Sequence, residues 1–339
     1  MTMKANTAEN AKLMYEAGQT QYAMEALTDS GDNTTFTSNA TYWSEKAGYT
    51  AVVRPDGVIS GGAIIPDDAA VNDTVDIAGL VCYLAGVSTT VGAGSVAVTR
   101  SADGGNPYRI NSIVVTNAGA LDKIAGTVGA AFSTTRGAAG GPPLITVGYI
   151  EIGQVKTSSV VAAAIDDSEI FQIPGTSLER YDYPLWEENN LPTSSGAGDG
   201  GSITFLSALP DDHTGTIAKG VFASYSDPIF AEMRPVADCV PPEQSHSVSS
   251  IQVYGGTIGS RSSSLSQGSF TSYLTDGIND PVIKLKDQVL TFKFFPDRYK
   301  SGFQVFQGKL GVSVTYAADG AMSAACTVSS SVASLPESS

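Results

Sequence analysis

Apolar and polar residues alternate most cleanly near the end of the chain. In 308–331, GKLGVSVTYAADGAMSAACTVSSS, residues Leu310, Val312, Val314 and Tyr316 fall on one face of an extended segment and Gly311, Ser313 and Thr315 on the other. After Ala317-Ala318-Asp319-Gly320 the alternation resumes, with Met322, Ala324, Cys326 and Val328 opposed by Ser323, Ala325, Thr327 and Ser329. A period of two broken by a Gly-containing turn predicts a β-hairpin. One face is apolar enough to cover a core. The other, formed by Gly311, Ser313, Thr315, Ser323, Ala325 and Thr327, has neither charge nor bulk, which suits close packing on another sheet or the lining of a passage.

The same short-strand pattern extends back along the chain. SVAVTR, YRINSIVVTNAGA, PLITVGYIEIGQVK and SSVVAAAI, all between Val71 and Asp167, are strand-like runs separated by Gly, Pro and Asn turns. The one stretch that reads as helical is 6–27, where Asn6 can cap, Glu9 follows three residues on, and Ala11, Met14, Tyr15 and Tyr22 recur at roughly helical spacing. The acidic run ending at Pro174-Gly175 marks a junction, so two units are expected: a β-rich N-terminal domain with a helix over 1–168, and a second β domain over 169–339. A Gly/Ser/Asp stretch at 194–202 reads as a linker within the second unit.

Composition narrows the picture further. Thirty-four acidic and 19 basic residues give a net charge of −15, which disfavours tight sequence-independent nucleic-acid binding. The acidity runs along the whole chain and is no acidic tail. Residues 261–309 go against it, with Arg261, Lys284, Lys286, Lys293, Arg298, Lys300 and Lys309 facing only four acidic residues. Cys82, Cys239 and Cys326 are far apart and odd in number, so they read as small hydrophobes in a reducing compartment. The N-terminus lacks the apolar core of a signal peptide, and IAGLVCYLAGV is too short to span a bilayer. A soluble product of the cytoplasm is expected.

Candidate chemistry is sparse. His213 follows Asp211-Asp212, which could serve a metal, but no second His or Cys stands at ligand spacing, and PDDHTG reads as a solvated loop. His246 has no visible partner. No G-x-S-x-G elbow occurs, and GAGDGG at 196–201 lacks the Lys-Ser/Thr of a phosphate-binding loop. A catalytic triad needs no sequence adjacency, so it stays open at this level. Trp186 and the tyrosines of ERYDYPLW could stack on a sugar or base, or plug into a neighbouring subunit; their acidic surroundings favour an interface. No catalytic residue, cofactor or metal is assigned.

The run FFPDRYKSGFQVFQGKLGVSVTYAADGAMSAACTVSSS resembles the C-terminal end of major tail proteins, the tail-tube subunits of long-tailed bacteriophages. The resemblance lies in Phe306-Gln307-Gly308-Lys309, the alternating strand, the Ala-Asp-Gly turn at 318–320 and the closing Ala/Ser/Thr strand. YRINSIVV and AFSTTRGAAGGPPLITVGYIEIGQV also look like stretches that recur in phage tail proteins. The resemblance implies a tail-tube-type β-sandwich or barrel subunit with a short flanking helix, and a second β-rich domain that is outer or inter-ring. It implies a structural virion protein, no enzyme, located in the tail. Six copies would close a ring, and stacked rings would form the conduit for genome DNA, which passes without specific binding. Its partners would be further copies, the tape measure protein, and the tail terminator and tail-tip proteins; no membrane is involved. Met14, Tyr15, Trp186, Lys293 and Arg298 are the expected inter-subunit contacts. The alternatives are a phage adhesin or capsid-decorating β module, and a glycan-degrading tail component, which would need a paired-carboxylate cleft.

Overall fold

The computed structural model describes residues 10–38, 43–189 and 201–338. Antiparallel strands dominate, and the one α-helix among the described residues is the single turn Pro281–Lys284. Asp280 caps that turn, accepting a hydrogen bond from the Val282 N–H, and Pro281 opens it. None of the described helices is long and apolar enough to cross a membrane.

The largest sheet has eight strands. Its order is Ser226–Glu232, Lys12–Gln21, Val289–Phe295, Gly302–Thr315, Ser323–Ser329, Gly268–Tyr273 and Val236–Val240, with Leu335–Ser338 also pairing Gly302–Thr315. The terminal hairpin forms as the alternation predicts: Leu310 lies opposite Val328, Val312 opposite Cys326 and Val314 opposite Ala324. These side chains join Leu13, Phe270, Leu290, Phe292 and Phe306 in one core. Phe292 and Phe306 stack with ring centroids 5.3 Å apart. A small second cluster, Phe303 and Val305 with Phe230, Phe295 and Leu335, lies on the opposite face of the same sheet, where the odd-numbered positions of these strands point.

The expected N-terminal helix is not formed. Lys12–Gln21 is a strand between Val289–Phe295 and Ser226–Glu232, and the first residues of that expected helix, 6–9, lie outside the described residues. The register shifts between Glu16 and Gly18, which breaks the period of two and lets apolar side chains recur at helix-like intervals. Leu13 and Tyr15 pack into the sheet's core. Glu16 is fully buried, and its Oε2 accepts hydrogen bonds from Ser44 Oγ at 2.5 Å and from the Thr291 N–H at 3.2 Å.

Two further cores are nested within this sheet. Leu27, Phe36, Trp43 and Ala51 pack with Ile203, Phe205, Leu209, Val221 and Tyr225. Between the halves of that core, residues from Val58 to Ile165 build a third, around Val75, Cys82, Ile113, Val115, Ile150 and Val155, with Ile170 and Leu178 packed against it. A cut at Ser168 keeps the buried residues of the third core together but splits the second, with Leu27, Phe36, Trp43 and Ala51 before it and Ile203 to Tyr225 after it. It separates Lys12–Gln21 from its sheet, and Ile170–Phe171 from its partner strand Ile150–Thr157.

One element stands apart. Gln244–Val253 and Gly256–Leu265 pair over ten positions and form a sheet of their own. This ribbon continues the edge pair of Val236–Val240 and Gly268–Tyr273, joined to it by the Ser266 N–H donating to the Glu243 carbonyl at 2.9 Å. Ser245, Ser247 and Ser249 each share a hydrogen bond with Ser264, Ser262 and Ser260, at 2.8, 2.6 and 2.6 Å. Residues 244–252 are exposed on both faces.

Candidate functional site

Charge is buried where the second and third cores meet. Glu151 sits on Ile150–Thr157 and is 1% exposed; Arg136, from the loop before that strand, forms an ion pair with it and also donates to the Pro143 carbonyl at 2.9 Å. Gln154 Nε2 donates to Glu151 Oε1 at 3.0 Å. Glu179 is held by its backbone, whose N–H donates to the Glu151 carbonyl and whose carbonyl accepts from the Val58 N–H, both at 2.8 Å. This close approach needs Gly57: a Cβ there would lie 2.4 Å from the Tyr181 nitrogen, and its φ of +149° is one that other residues rarely adopt.

Segment 209–219 supplies the other charges. His213 Nδ1 lies 2.7 Å from Asp212 Oδ1, and Nε2 lies 3.2 Å from the Tyr149 carbonyl and 3.8 Å from Glu179 Oε1. Backbone bonds fasten the segment to the third core's loop: Ile145 N–H to the Asp212 carbonyl at 2.9 Å, and Thr214 N–H to the Ile145 carbonyl at 2.7 Å. Lys219 Nζ donates to the Arg180 and Tyr183 carbonyls at 2.7 and 2.6 Å. Asp56, also buried, accepts from the Ala85 N–H at 2.8 Å. A pocket of about 230 Å³ opens onto Glu151, Glu179, Asp212 and Lys219.

The environment sets the proton affinities. Burial alone would lower that of His213, but the Asp212 hydrogen bond and the charges of Glu179 and Asp212 outweigh it and push the imidazole up to about 9. Burial pushes Glu179 up and Lys219 down. Asp56 rises to about 7, again through burial. His213 is thus set among acceptors, with both ring nitrogens facing oxygens, and is badly placed to act as a general base.

The sequence reading of PDDHTG as a solvated loop is corrected here, since His213 is 2% exposed and sits in the cluster. Glu151, Glu179, Lys219 and Arg136 escaped sequence reasoning because no short-range spacing links them to His213. Its Tyr149 partner is 64 positions away. Glu151, Glu179 and Asp212 all line the pocket, but Glu151 is held by Arg136, and the pocket is smaller than the roughly 300–1,000 Å³ of small-molecule sites.

The other residues singled out from the sequence lie elsewhere, and several have partners within the chain. Met14 is half-buried opposite Glu232 and Lys293, and Tyr15 packs into the large sheet's core. Trp186 packs on Phe205 at a centroid distance of 5.9 Å. Arg298 pairs with Glu232 and donates to the Ala11 carbonyl, each at 3.1 Å. Lys293 Nζ lies 4.3 Å from the Phe230 ring centroid and 5.0 Å from that of Phe303. These in-chain partners explain the positions of Arg298 and Trp186 without a neighbouring subunit. Most of the 194–202 linker lies outside the described residues.

The small-residue face is intact and broader than the hairpin. Gly311, Thr327 and Ser269 lie side by side, as do Ser313, Ala325 and Thr271, and then Thr315, Ser323 and Tyr273. All nine are exposed or half-buried, and none is charged.

Comparison of the chain with known protein families, with curated proteins and with solved structures finds no match. What fold and clusters together define is a class: a mainly antiparallel β protein with three packed cores, a buried ionic junction and a free-standing two-stranded arm.

Proposed function

We propose that this chain is a self-assembling structural subunit of a bacteriophage tail tube, stacking in rings around a passage for DNA. The observation that carries the reading is the ribbon 244–265. Ten antiparallel pairs extend about 30 Å, yet a two-stranded ribbon is marginal in water unless something covers it. Val248 is 71% exposed, Ile251 67%, and Tyr254 at the tip fully so. A second copy of the chain supplies the missing cover in this reading, and head-to-tail contacts of that kind close into rings. The uncharged face of Gly311, Ser313, Thr315, Ser323, Ala325 and Thr327 supports it further, since it offers close packing without desolvating charge. The net charge of −15 suits a conduit that must not retain DNA. The tape measure, terminator and tail-tip proteins are its partners under this proposal, and it performs no catalysis.

The test is deletion of the ribbon. Replacing 244–265 by a short Gly-Ser turn should leave the three cores folded by circular dichroism while abolishing assemblies larger than a monomer in sedimentation velocity. A deletion variant that assembles as well as the full chain would refute the role given to the ribbon. Discrete trimers of the full chain would favour an adhesin or capsid-decorating module.

A further inference from the structure

We propose that Glu179, His213 and the Tyr149 backbone carbonyl form a binding site for one divalent transition-metal ion of the zinc type, with Asp212 orienting the imidazole. Nε2 of His213 already lies close to both of the other donor atoms. Nε2 of His213 lies 3.2 Å from the Tyr149 oxygen and 3.8 Å from Glu179 Oε1. Bonds of about 2.0–2.1 Å in tetrahedral array place donor atoms roughly 3.4 Å apart, close to both of these distances.

A second observation points independently to a ligand. Glu179 is 8% exposed, and neither of its carboxylate oxygens has a hydrogen-bond partner. A buried carboxylate in that condition is costly. Lys219, the nearby ammonium, donates instead to the Arg180 and Tyr183 carbonyls, so it leaves the Glu179 oxygens without a hydrogen bond.

The surroundings complete the site. Asp212 Oδ1 accepts from Nδ1 of His213 at 2.7 Å, which leaves Nε2 as the nitrogen facing the Tyr149 carbonyl and Glu179. Metal-bound histidines generally have their other nitrogen anchored in this way. The neighbouring cations are engaged elsewhere, Arg136 with Glu151 and Lys219 with two backbone carbonyls. The pocket of about 230 Å³ borders Glu179 and Asp212 and offers an entry path and room for a fourth, water ligand. An imidazole donor selects zinc-like ions over magnesium or calcium. The sequence reading assigned no metal, because Glu179 and Tyr149 are remote from His213 along the chain. The ion would fasten segment 209–219 to the third core.

The experiment uses the full chain, stripped with EDTA and titrated with ZnCl₂ by calorimetry. One equivalent should bind, the thermal transition should rise, and Co²⁺ in place of Zn²⁺ should show the visible absorption of a tetrahedral site. Glu179→Gln and His213→Gln should each weaken Zn²⁺ binding at least tenfold, Asp212→Asn by about 10–100-fold, and His246→Gln not at all. If the variants fold poorly, wild-type NMR decides, since Zn²⁺ should shift the His213 Nε2 resonance. Absence of saturable binding, full affinity in the Glu179 and His213 variants, or an unmoved His213 resonance would overturn the proposal.

Discussion

Replacing Arg136 by Met tests whether the buried junction holds the third core together. The substitution keeps the bulk of the side chain but strands Glu151, whose side chain is 1% exposed, with Gln154 as its remaining close donor. Removing one partner of a buried ion pair costs about 3–5 kcal/mol. Arg136 is 15% exposed at its side chain, so water reaches the pair and the lower end of that range applies, about 3 kcal/mol. At 1.36 kcal/mol per factor of ten, this amounts to a loss of roughly a hundredfold in hydrogen-exchange protection. The peptides to follow cover Arg109–Val115 and Ile150–Thr157, the paired strands at the centre of this core. A second variant, Arg136→Met with Glu151→Leu, removes the stranded charge and should recover most of the protection. Protection within threefold of wild type in the single variant, or a double variant no better than the single, would refute the reasoning.

Three further outcomes follow from the same structure. Lys293 is driven down to about 8 by burial, against an ordinary value of 10.5, with Glu337 opposing the shift. Its folded form sheds the proton first, so stability should climb between about pH 8 and 10.5; Lys293→Met should gain about 1 kcal/mol at pH 7 and lose that advantage above pH 10.5, as read by urea titration. Gly57→Ala should cost more than about 2 kcal/mol by thermal unfolding, because its Cβ would meet the Tyr181 backbone at 2.4 Å; an unchanged transition would contradict the packing described. Ala325→Lys, on the exposed small-residue face, should leave stability within about 0.5 kcal/mol while abolishing assembly in sedimentation velocity.

The terminal hairpin was readable in the sequence because nothing interrupts its alternation. Leu310 to Val314 and Ala324 to Val328 keep strict period two, and the structure pairs them face to face. Lys12–Gln21 was misread for the opposite reason. Its register shift near Gly18 displaces the pattern by one residue, and Glu16, a charged residue, is buried by Ser44 and the Thr291 backbone where an apolar residue would be expected. Local propensity yields there to pairing with strands more than two hundred positions away. The ionic junction was hidden more deeply. His213 stands out in the sequence, but its meaning depends on Glu179, Tyr149 and Lys219, which only the nesting of one core within another brings near it. The nesting itself leaves no compositional boundary, since all three cores draw on the same short, β-branched strands.

The central claim, that this chain builds a tube from copies of itself, is tested most directly by negative-stain electron microscopy of the purified full-length protein at high concentration. The account predicts six-fold rings with a central opening, stacking into tubes, without added metal or nucleotide. Uniform monomeric particles, at concentrations where tail components assemble and in the presence of a nucleating tail end, would contradict it.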